Sequence, residues 1–318
     1  MSIRSAVPKI VVVLGPTASG KSALAVVIAE KYNGEVISAD SRQVYRGMHI
    51  GTAKITRREM RGVPHHLLDV ASPKKQFSAA QFQKLGQRAL RDILRRGKLP
   101  IICGGTGHYI AALLDKQTLP NVPPDASLRK ELEKLSTEEL FAKLQKLDQR
   151  RAADIDRHNP RRLIRAIEIV TKTGRPVPVA NSLEFGDKNS ISYSNVLKNI
   201  GIGNVRVLKI GLRVPEKELK KRLHTRLLQW FRRGLISEVK KLKRTGVSSK
   251  RLAEFGLVYR SVDRYLKSAV SKDEMLDEID HDLRHYVKRQ LTWWKRDKNI
   301  RWVKNERAVF AAVKKFLQ

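Results

Sequence analysis

The stretch KIVVVLGPTASGKS at residues 9–22 decides the fold, because it joins a buried strand to a helix through a glycine-rich loop. Its apolar run breaks at Gly15-Pro16, and a stretch with helical periodicity follows from Ser22 to Lys31. The loop fits G-x-x-x-x-G-K-[ST] without deviation, a match expected by chance in roughly one of a few hundred chains. Backbone N–H groups of such a loop point at phosphate oxygens. We predict a phosphate site made by Gly15, Pro16, Thr17, Ala18, Ser19, Gly20, Lys21 and Ser22.

Lys21 adds a positive charge to this loop, and the Ser22 hydroxyl is the predicted ligand for Mg²⁺. Most proteins with such a loop hydrolyse or transfer the terminal phosphate of a nucleoside triphosphate. The loop alone therefore favours ATP binding by a nucleotide or nucleoside kinase, or by an ATPase.

Three further apolar runs predict strands at Glu35–Ser38, Leu99–Cys103 and Val205–Val214. Helical patterns separate them, which is typical of a parallel sheet with helices on both faces. The predicted class is α/β, with a core like that of the P-loop NTPases. Ligands of such sheets bind at the carboxyl ends of the strands, where Asp40 follows the second run. Asp40 could hold Mg²⁺ or accept a proton, and periodicity does not decide between these roles.

An all-helical insertion interrupts the sheet pattern. A capping box at Ser136 and Glu139 opens one helix, and Asn159-Pro160 opens another over residues 161–171. The predicted domains are residues 1–118 (first part of the core), 119–203 (insertion) and 204–318 (second part of the core). The second part holds one basic helix over residues 217–244 and a long helix from about 273 to 297.

The net charge of this 318-residue chain is 65 − 31 = +34, which indicates a polyanionic partner, with a solubility surface as the alternative. A content of 41% apolar residues is enough for a folded core. Cys103 is the only cysteine, so neither an internal disulfide nor a cysteine-rich zinc site is expected. We predict a cytoplasmic protein without a membrane span, because no apolar run approaches about 20 residues.

Motifs along nearly the whole chain are similar to those of the tRNA dimethylallyltransferases, also called tRNA isopentenyltransferases. The resemblance implies that a dimethylallyl group moves from dimethylallyl diphosphate to the N6 amine of the adenosine 3′ of the anticodon, releasing diphosphate. A kinase on the same fold and a non-catalytic RNA-binding protein remain as alternatives. The similar stretches are GPTASGKS (15–22), SADSRQVYRGMHIGTAK (38–54), VPHHLLD (63–69), FSAAQF (77–82), GGTGHY (104–109), NPRRLIRAIEI (159–169), RLLQWFRRGLISEV (226–239) and KRQLTWWKR (288–296).

The resemblance also implies roles for single residues. Asp40 would be the general base, and Thr106 would hydrogen-bond the same edge of the adenine. Lys21, Arg226 and Mg²⁺ on Ser22 would stabilise the leaving diphosphate. The residues expected to contact tRNA are Asp40, Ser41, Arg42, Gln43 and Thr106 in the core, with Arg161, Arg162 and Arg165 as a phosphate clamp and Arg129 as a weaker candidate.

Four other features carry weaker expectations. Thr17, Thr52 and Lys54 are predicted to support the diphosphate pocket, with a helix cap as the alternative role for Thr52. The pair His65-His66 is expected to pack rather than to bind a metal, and Trp293-Trp294 to belong to the core rather than to stack on bases. A monomer is expected.

Overall fold

The computed structural model describes residues 7–114, 120, 122–178 and 205–318. The chain divides into two compact units. The first comprises Met1–Asp115 with Phe185–Gln318, and the second comprises Lys116–Glu184. The predicted end of the insertion at residue 203 lies outside the described residues.

The first unit is built on a six-stranded parallel sheet. Its order is β3-β2-β4-β1-β5-β6, and Val12 of the central strand pairs with Ile102 on one side and Lys209 on the other. The apolar runs form strands because both faces of the sheet are covered. The strands are β1 (Lys9–Leu14), β2 (Gly34–Ser38), β3 (His65–His66), β4 (Leu99–Gly104), β5 (Arg206–Leu212) and β6 (Arg301–Val303).

Helices cover both faces of this sheet, as predicted. Side chains of β1 alternate between two apolar clusters, with Ile10 and Val12 in one and Val11 and Val13 in the other. The first unit contains α1 (Lys21–Lys31), α2 (Arg57–Met60), α3 (Ala79–Arg95), α4 (Gly107–Leu114), α9 (Glu216–Arg232), α10 (Leu235–Arg244), α11 (Ser249–Glu254), α12 (Leu257–Leu266), α13 (Lys272–Trp294) and α14 (Glu306–Leu317).

The second unit is helical in its described part, which agrees with the absence of a strand pattern there. Its elements are α5 (Ala126–Leu132), α6 (Thr137–Leu147), α7 (Gln149–Asp154) and α8 (Pro160–Thr173). Leu132, Leu144 and Leu163 are buried in its core. The capping box at Ser136 and the cap at Asn159 both form, and each satisfies N–H groups that have no partner within the helix.

The structure differs from the sequence analysis of the first unit in three places. The single basic helix over 217–244 is two helices, because the chain turns at Gly234 with φ +93°, a conformation that favours glycine. The short strands β3 and β6 were not predicted, since two or three residues give no periodic signal. The last long helix ends at Trp294 rather than near residue 297.

None of the described helices is long and apolar enough to cross a membrane.

Candidate functional site

The phosphate loop lies where the sequence placed it, between β1 and α1. The Ser19 hydroxyl is buried within the loop and makes no hydrogen bond. The Lys21 ammonium donates to the Pro16 carbonyl oxygen at 3.2 Å. A buried hydroxyl without a partner costs free energy unless a ligand supplies one, so the loop is suited to an oxygen-rich ligand.

Arg226 of α9 reaches the same loop from outside the sheet. Its Nη1 donates to the Thr17 hydroxyl at 3.4 Å. Burial lowers the pKa values of both Lys21 and Arg226, and the positive charge of Arg226 lowers the pKa of Lys21 further. Neither side chain forms an ion pair within the described part of the chain. Two half-buried cations without a carboxylate partner define an anion site.

A cleft of about 350 Å³ opens beside this anion site. Along one wall, α9 contributes Lys221 and Arg222 in addition to Arg226, and Ala18 of the phosphate loop lies opposite. Glu218 of α9 also lines the cleft and pairs with Arg222 at 2.8 Å, so Lys221 and Arg226 are the lining cations outside that pair. Its lining is Ala18, Glu218, Lys221, Arg222, Thr225, Arg226 and Gln229.

Asp40 stands at the carboxyl end of β2 in a tight turn. Its Oδ1 accepts hydrogen bonds from the backbone N–H groups of Arg42, at 2.8 Å, and Gln43, at 3.3 Å. The other oxygen, Oδ2, accepts none from the described residues. The carboxylate is partly exposed and close enough to raise the pKa of Lys21 against the effect of burial. The carboxylate therefore lies near Lys21 of the phosphate site and is held in place through Oδ1.

Thr106 lies beside Asp40, because it follows β4 and Asp40 follows β2, and these two strands are adjacent in the sheet. The sequence left open whether β1 and β2 are neighbours, and the structure places β4 between them. The Thr106 N–H donates to the Ala39 carbonyl oxygen at 3.2 Å, and its hydroxyl accepts from the Ser41 N–H at 3.1 Å. The ends of β1, β4 and β2 thus bring the phosphate loop, Thr106 and Asp40 to one edge of the sheet.

Tyr286 of α13 belongs to this group, although nothing in the sequence singled it out. It shares a hydrogen bond with the Thr106 hydroxyl. Burial raises its pKa to about 12, and the negative charge of Asp40 acts in the same direction. The phenol is therefore neutral at physiological pH. Only the helical register of α13, which is set by packing, brings it to Thr106.

The side chain of Gln43, predicted to touch neighbouring bases, has hydrogen-bond partners inside the protein. Its Nε2 donates to the carbonyl oxygens of Thr52, at 3.2 Å, and Ala53, at 3.3 Å, while its Oε1 accepts from the Ser38 hydroxyl at 3.1 Å. The side-chain amide is thus engaged inside the protein. It holds the turn of Asp40 against the segment of Thr52 and Ala53, and its contact with tRNA stays a prediction.

Thr52 and Lys54, predicted to support the diphosphate pocket, also have their hydrogen-bond partners inside the protein. The Thr52 hydroxyl donates to the Met48 carbonyl oxygen at 2.8 Å. The buried Lys54 ammonium donates to the Tyr45 carbonyl oxygen at 2.7 Å and to Asp69 at 2.6 Å. Ion pairing with Asp69 satisfies the lysine charge without a ligand.

Glu238 of α10 anchors the same segment and was missed by the sequence analysis. Its carboxylate accepts from three consecutive backbone N–H groups, of His49, Ile50 and Gly51, at 2.7, 2.7 and 3.1 Å. The Tyr259 hydroxyl donates to it at 2.8 Å. The signal in the sequence that could have identified Glu238 is that it is a single acidic residue among the basic and apolar residues of α10.

The histidine pair packs against protein groups, as predicted. His66 Nε2 lies 2.7 Å from Glu35 Oε2, and His65 Nδ1 lies 2.9 Å from the Val63 carbonyl oxygen. Hydrogen bonds from Arg96 above all hold the pKa of Glu35 well below its usual range. No group of three His, Cys, Asp or Glu side chains that could hold a metal occurs among residues 7–114, 120, 122–178 and 205–318.

The two tryptophans separate in the structure. Trp294 is buried in the core, as expected for both. Trp293 is 39% exposed, with its ring 6.5 Å from that of His108. The core prediction therefore holds for Trp294 alone.

In the second unit, a buried carboxylate draws two of the predicted tRNA-contacting arginines inward. Glu168 is fully buried and pairs with Arg129, at 2.7 Å, and with Arg165. Arg165 also donates to the Val122 carbonyl oxygen at 2.9 Å. Arg161 and Arg162 are exposed. Arg165 is thus paired with Glu168 while 36% of its side chain stays exposed, and the three-arginine clamp stays a prediction.

A phosphate loop, a second cation across from it and an oriented carboxylate beside it define a P-loop enzyme that acts on a phosphorylated substrate. The family model for IPP transferases matches residues 43–297, and the chain belongs to this family.

Curated relatives cover the chain almost from end to end. A tRNA dimethylallyltransferase of Carboxydothermus hydrogenoformans is 38% identical over 92% of this chain and 91% of the relative. A tRNA dimethylallyltransferase 2 of Geotalea uraniireducens is 41% identical over 93% of this chain and 92% of the relative.

Solved structures show the same fold. The tRNA delta(2)-isopentenylpyrophosphate transferase of Staphylococcus epidermidis has 32% identity and a TM-score of 0.68, covering 98% of this chain and 99% of the other. A eukaryotic dimethylallyltransferase acting on tRNA has 24% identity and a TM-score of 0.73, covering 97% and 77%, and is similar in fold.

Proposed function

We propose that the protein transfers a dimethylallyl group from dimethylallyl diphosphate to the N6 amine of the adenosine 3′ of the anticodon in tRNA, releasing diphosphate. The observation that carries this proposal is the pair of cations, Lys21 and Arg226, that face the phosphate loop without an ion pair, next to Asp40. The relatives' names support transfer to tRNA over the kinase alternative.

The leaving group is the first requirement of this reaction. As the allylic C–O bond breaks, positive charge develops on carbon and negative charge on the diphosphate. Lys21, the phosphate-loop N–H groups and Arg226 would stabilise that negative charge, and it grows in the transition state. Such stabilisation accelerates the step more than it tightens substrate binding.

Mg²⁺ fits the oxygen ligands at this place. The Ser22 hydroxyl stands at the start of α1, and no complete protein cage is required, since Mg²⁺ usually keeps waters and takes substrate phosphate oxygens as ligands. When bound, the ion would neutralise part of the charge of the diphosphate. Ser22 would hold it from the protein side.

The attacking amine is the second requirement. Its lone pair is delocalised into the purine, and its proton becomes acidic only as the C–N bond forms. Asp40 would accept that proton on Oδ2, because Oδ1 is held by the N–H groups of Arg42 and Gln43. Thr106 would hydrogen-bond the same edge of the base.

The acceptor adenosine must leave its stack to reach this edge of the sheet. The tRNA backbone would then contact positive side chains, among them Arg42 beside the site and the exposed Arg161 and Arg162, with the neutral Ser41 next to Arg42. A monomeric, cytoplasmic enzyme remains our proposal for the setting of the reaction.

Labelled dimethylallyl diphosphate, Mg²⁺ and an anticodon stem-loop provide the direct test. We expect label in the RNA and diphosphate in solution. A stem-loop with guanosine in place of the target adenosine is the matched control and should remain unlabelled. Phosphorylation of a nucleotide by ATP, without transfer of label to RNA, would instead establish the kinase alternative.

A further inference from the structure

Gln290 is a buried glutamine of α13 whose amide contacts two separate segments of the site. Its Oε1 accepts a hydrogen bond from the Thr17 N–H at 2.9 Å, and its Nε2 donates to the Gly105 carbonyl oxygen at 3.0 Å. The residue is 5% exposed. Each end of the amide has a partner of the right kind, so the side chain is fixed in one orientation.

The two segments would bind different substrates of the proposed reaction. Thr17 lies in the phosphate loop, and its hydroxyl accepts from Arg226. Gly105 precedes Thr106, whose hydroxyl accepts from the Ser41 N–H next to Asp40. A single side chain therefore links the part that would hold the leaving diphosphate to the part that would hold the acceptor base.

The glycines after β4 show how closely α13 approaches this turn. A Cβ added at Gly105 would lie 2.2 Å from Gln290 Nε2, and one added at Gly107 would lie 2.0 Å from Trp293 Nε1. Both distances are far below van der Waals contact. These glycines are thus required by the packing of α13, which presses Gln290 onto the turn.

We propose that Gln290 is a positioning residue that sets the distance between the phosphate loop and the Thr106 turn. This inference rests on the proposed function, because it concerns the approach of the amine nitrogen to the allylic carbon. Reacting atoms must lie about 3–3.5 Å apart, and a misplacement of about 1 Å costs roughly 100-fold in rate. The Thr17 N–H is turned toward Gln290, so losing the glutamine removes no cation from the anion site.

The variant Gln290→Met tests this role, since methionine fills a similar volume and forms neither hydrogen bond. We expect the single-turnover rate at saturating donor and stem-loop to fall about 30- to 100-fold. The Kd for inorganic diphosphate should change by less than about threefold, because loss in the transition state alone leaves binding unaltered. If Gln290 only stabilised the fold, Gln290→Met would lower the melting temperature but would not lower the transfer rate while leaving the Kd for diphosphate unchanged.

Gln83→Met is the matched control. Gln83 of α3 also donates through Nε2 to a backbone carbonyl oxygen, that of Ala112, at 2.6 Å, away from the phosphate loop. Its transfer rate should stay within about threefold of wild type, even if the melting temperature falls as far as in Gln290→Met. An equal rate loss in both variants would overturn the proposal.

Gly105→Ala perturbs the same contact while leaving Gln290 in the chain, and it decides the matter if Gln290→Met does not fold. The new methyl group would displace the Gln290 amide, so a similar loss of rate is expected. In the double variant Gly105→Ala/Gln290→Ala, the shortened side chain at position 290 leaves room for the new methyl group. The fold-loss of transfer rate in this double variant should therefore be less than the product of the losses in the two single variants. Multiplicative losses, or a Gln290→Met rate within threefold of wild type, would refute positioning. Absence of transfer by the wild type would instead refute the proposed function.

Discussion

At the residue scale, the site depends on how one carboxylate is held. The turn at Asp40 uses Oδ1 to bind two backbone N–H groups, which leaves Oδ2 for chemistry. Asparagine at this position keeps an oxygen for the same N–H groups but removes the basic oxygen. Substitution by asparagine therefore separates the structural role of Asp40 from its proposed role as base.

We expect Asp40→Asn to lower the single-turnover rate at least about 100-fold, since a general base typically contributes 10²- to 10⁴-fold. The affinity for the stem-loop should stay within about threefold, because the turn is preserved. Rapid-quench measurement of labelled RNA checks the rate, and fluorescence anisotropy checks the affinity. An unchanged rate would remove Asp40 from the mechanism.

Lys21 gives a prediction about protons. Burial lowers its pKa in the free protein, against the opposing effects of Cys103 and Asp40, and a bound diphosphate would raise it again. Binding should therefore take up protons, and the affinity for inorganic diphosphate should fall as the pH rises through the pKa of free Lys21.

Calorimetric titration with inorganic diphosphate in buffers of different ionisation enthalpy measures this proton uptake. Lys21→Met, which cannot titrate, should lose the part due to the lysine and bind more weakly. What remains in that variant is the contribution of the diphosphate itself. Equal proton uptake in both proteins would show that Lys21 is not linked to the anion.

At the element scale, helices α5 and α8 are held together by Glu168, which is fully buried between two arginines. Its pKa is lowered: burial opposes the shift, but hydrogen bonds from Arg129, from the Asp125 N–H and from Arg165 outweigh it. Arg129 and Arg165, which the sequence analysis assigned to tRNA contact, therefore also pair with Glu168 inside this unit.

We expect Glu168→Gln to lower the free energy of unfolding of this unit by roughly 2 kcal/mol, since the half-exposed arginines retain some hydration. Because the pKa of Glu168 is depressed on folding, its stabilisation is complete above the unfolded value of about 4.3 and is lost as the pH falls through the folded value. Hydrogen exchange of α8 amides in the full chain measures the effect, with the exposed Glu131→Gln as control. Equal protection of the α8 amides from exchange in both variants would contradict the proposed stabilisation by Glu168.

At the scale of the whole molecule, the net charge of +34 already counts every carboxylate against a lysine or arginine, so this excess of positive charge remains however many ion pairs form. Each lysine or arginine that neutralises a phosphate releases counterions, so the affinity for tRNA should fall steeply with salt. Diphosphate binding at Lys21 and Arg226 involves few charges and should respond much less.

Replacing Arg161 and Arg162 together by glutamine should flatten the plot of log affinity against log salt by about two contacts. Glutamine keeps helix propensity, and both side chains are exposed, so the fold should be unaffected. Arg88→Gln with Arg91→Gln, on exposed positions of α3, is the control of equal charge. A slope that matches this control would place the tRNA contacts elsewhere on the molecule.

The sequence by itself determined the strand, loop and helix over residues 9–31 and the α/β class, because the hydrophobic pattern and the loop glycines are local signals. It also placed Lys21, Asp40, Thr106 and Arg226, each at a recognisable motif. Such local signals do not determine the order of the strands in the sheet or which way each side chain points.

Only the tertiary structure decided that β4 lies between β1 and β2, and that the amide of Gln43 and the guanidinium of Arg165 are used inside the protein. Gln290 and Tyr286 enter the site for the same reason. Their roles depend on which side of a helix meets the sheet edge, and that is set by packing between segments far apart in the chain. Local sequence carries no record of those contacts.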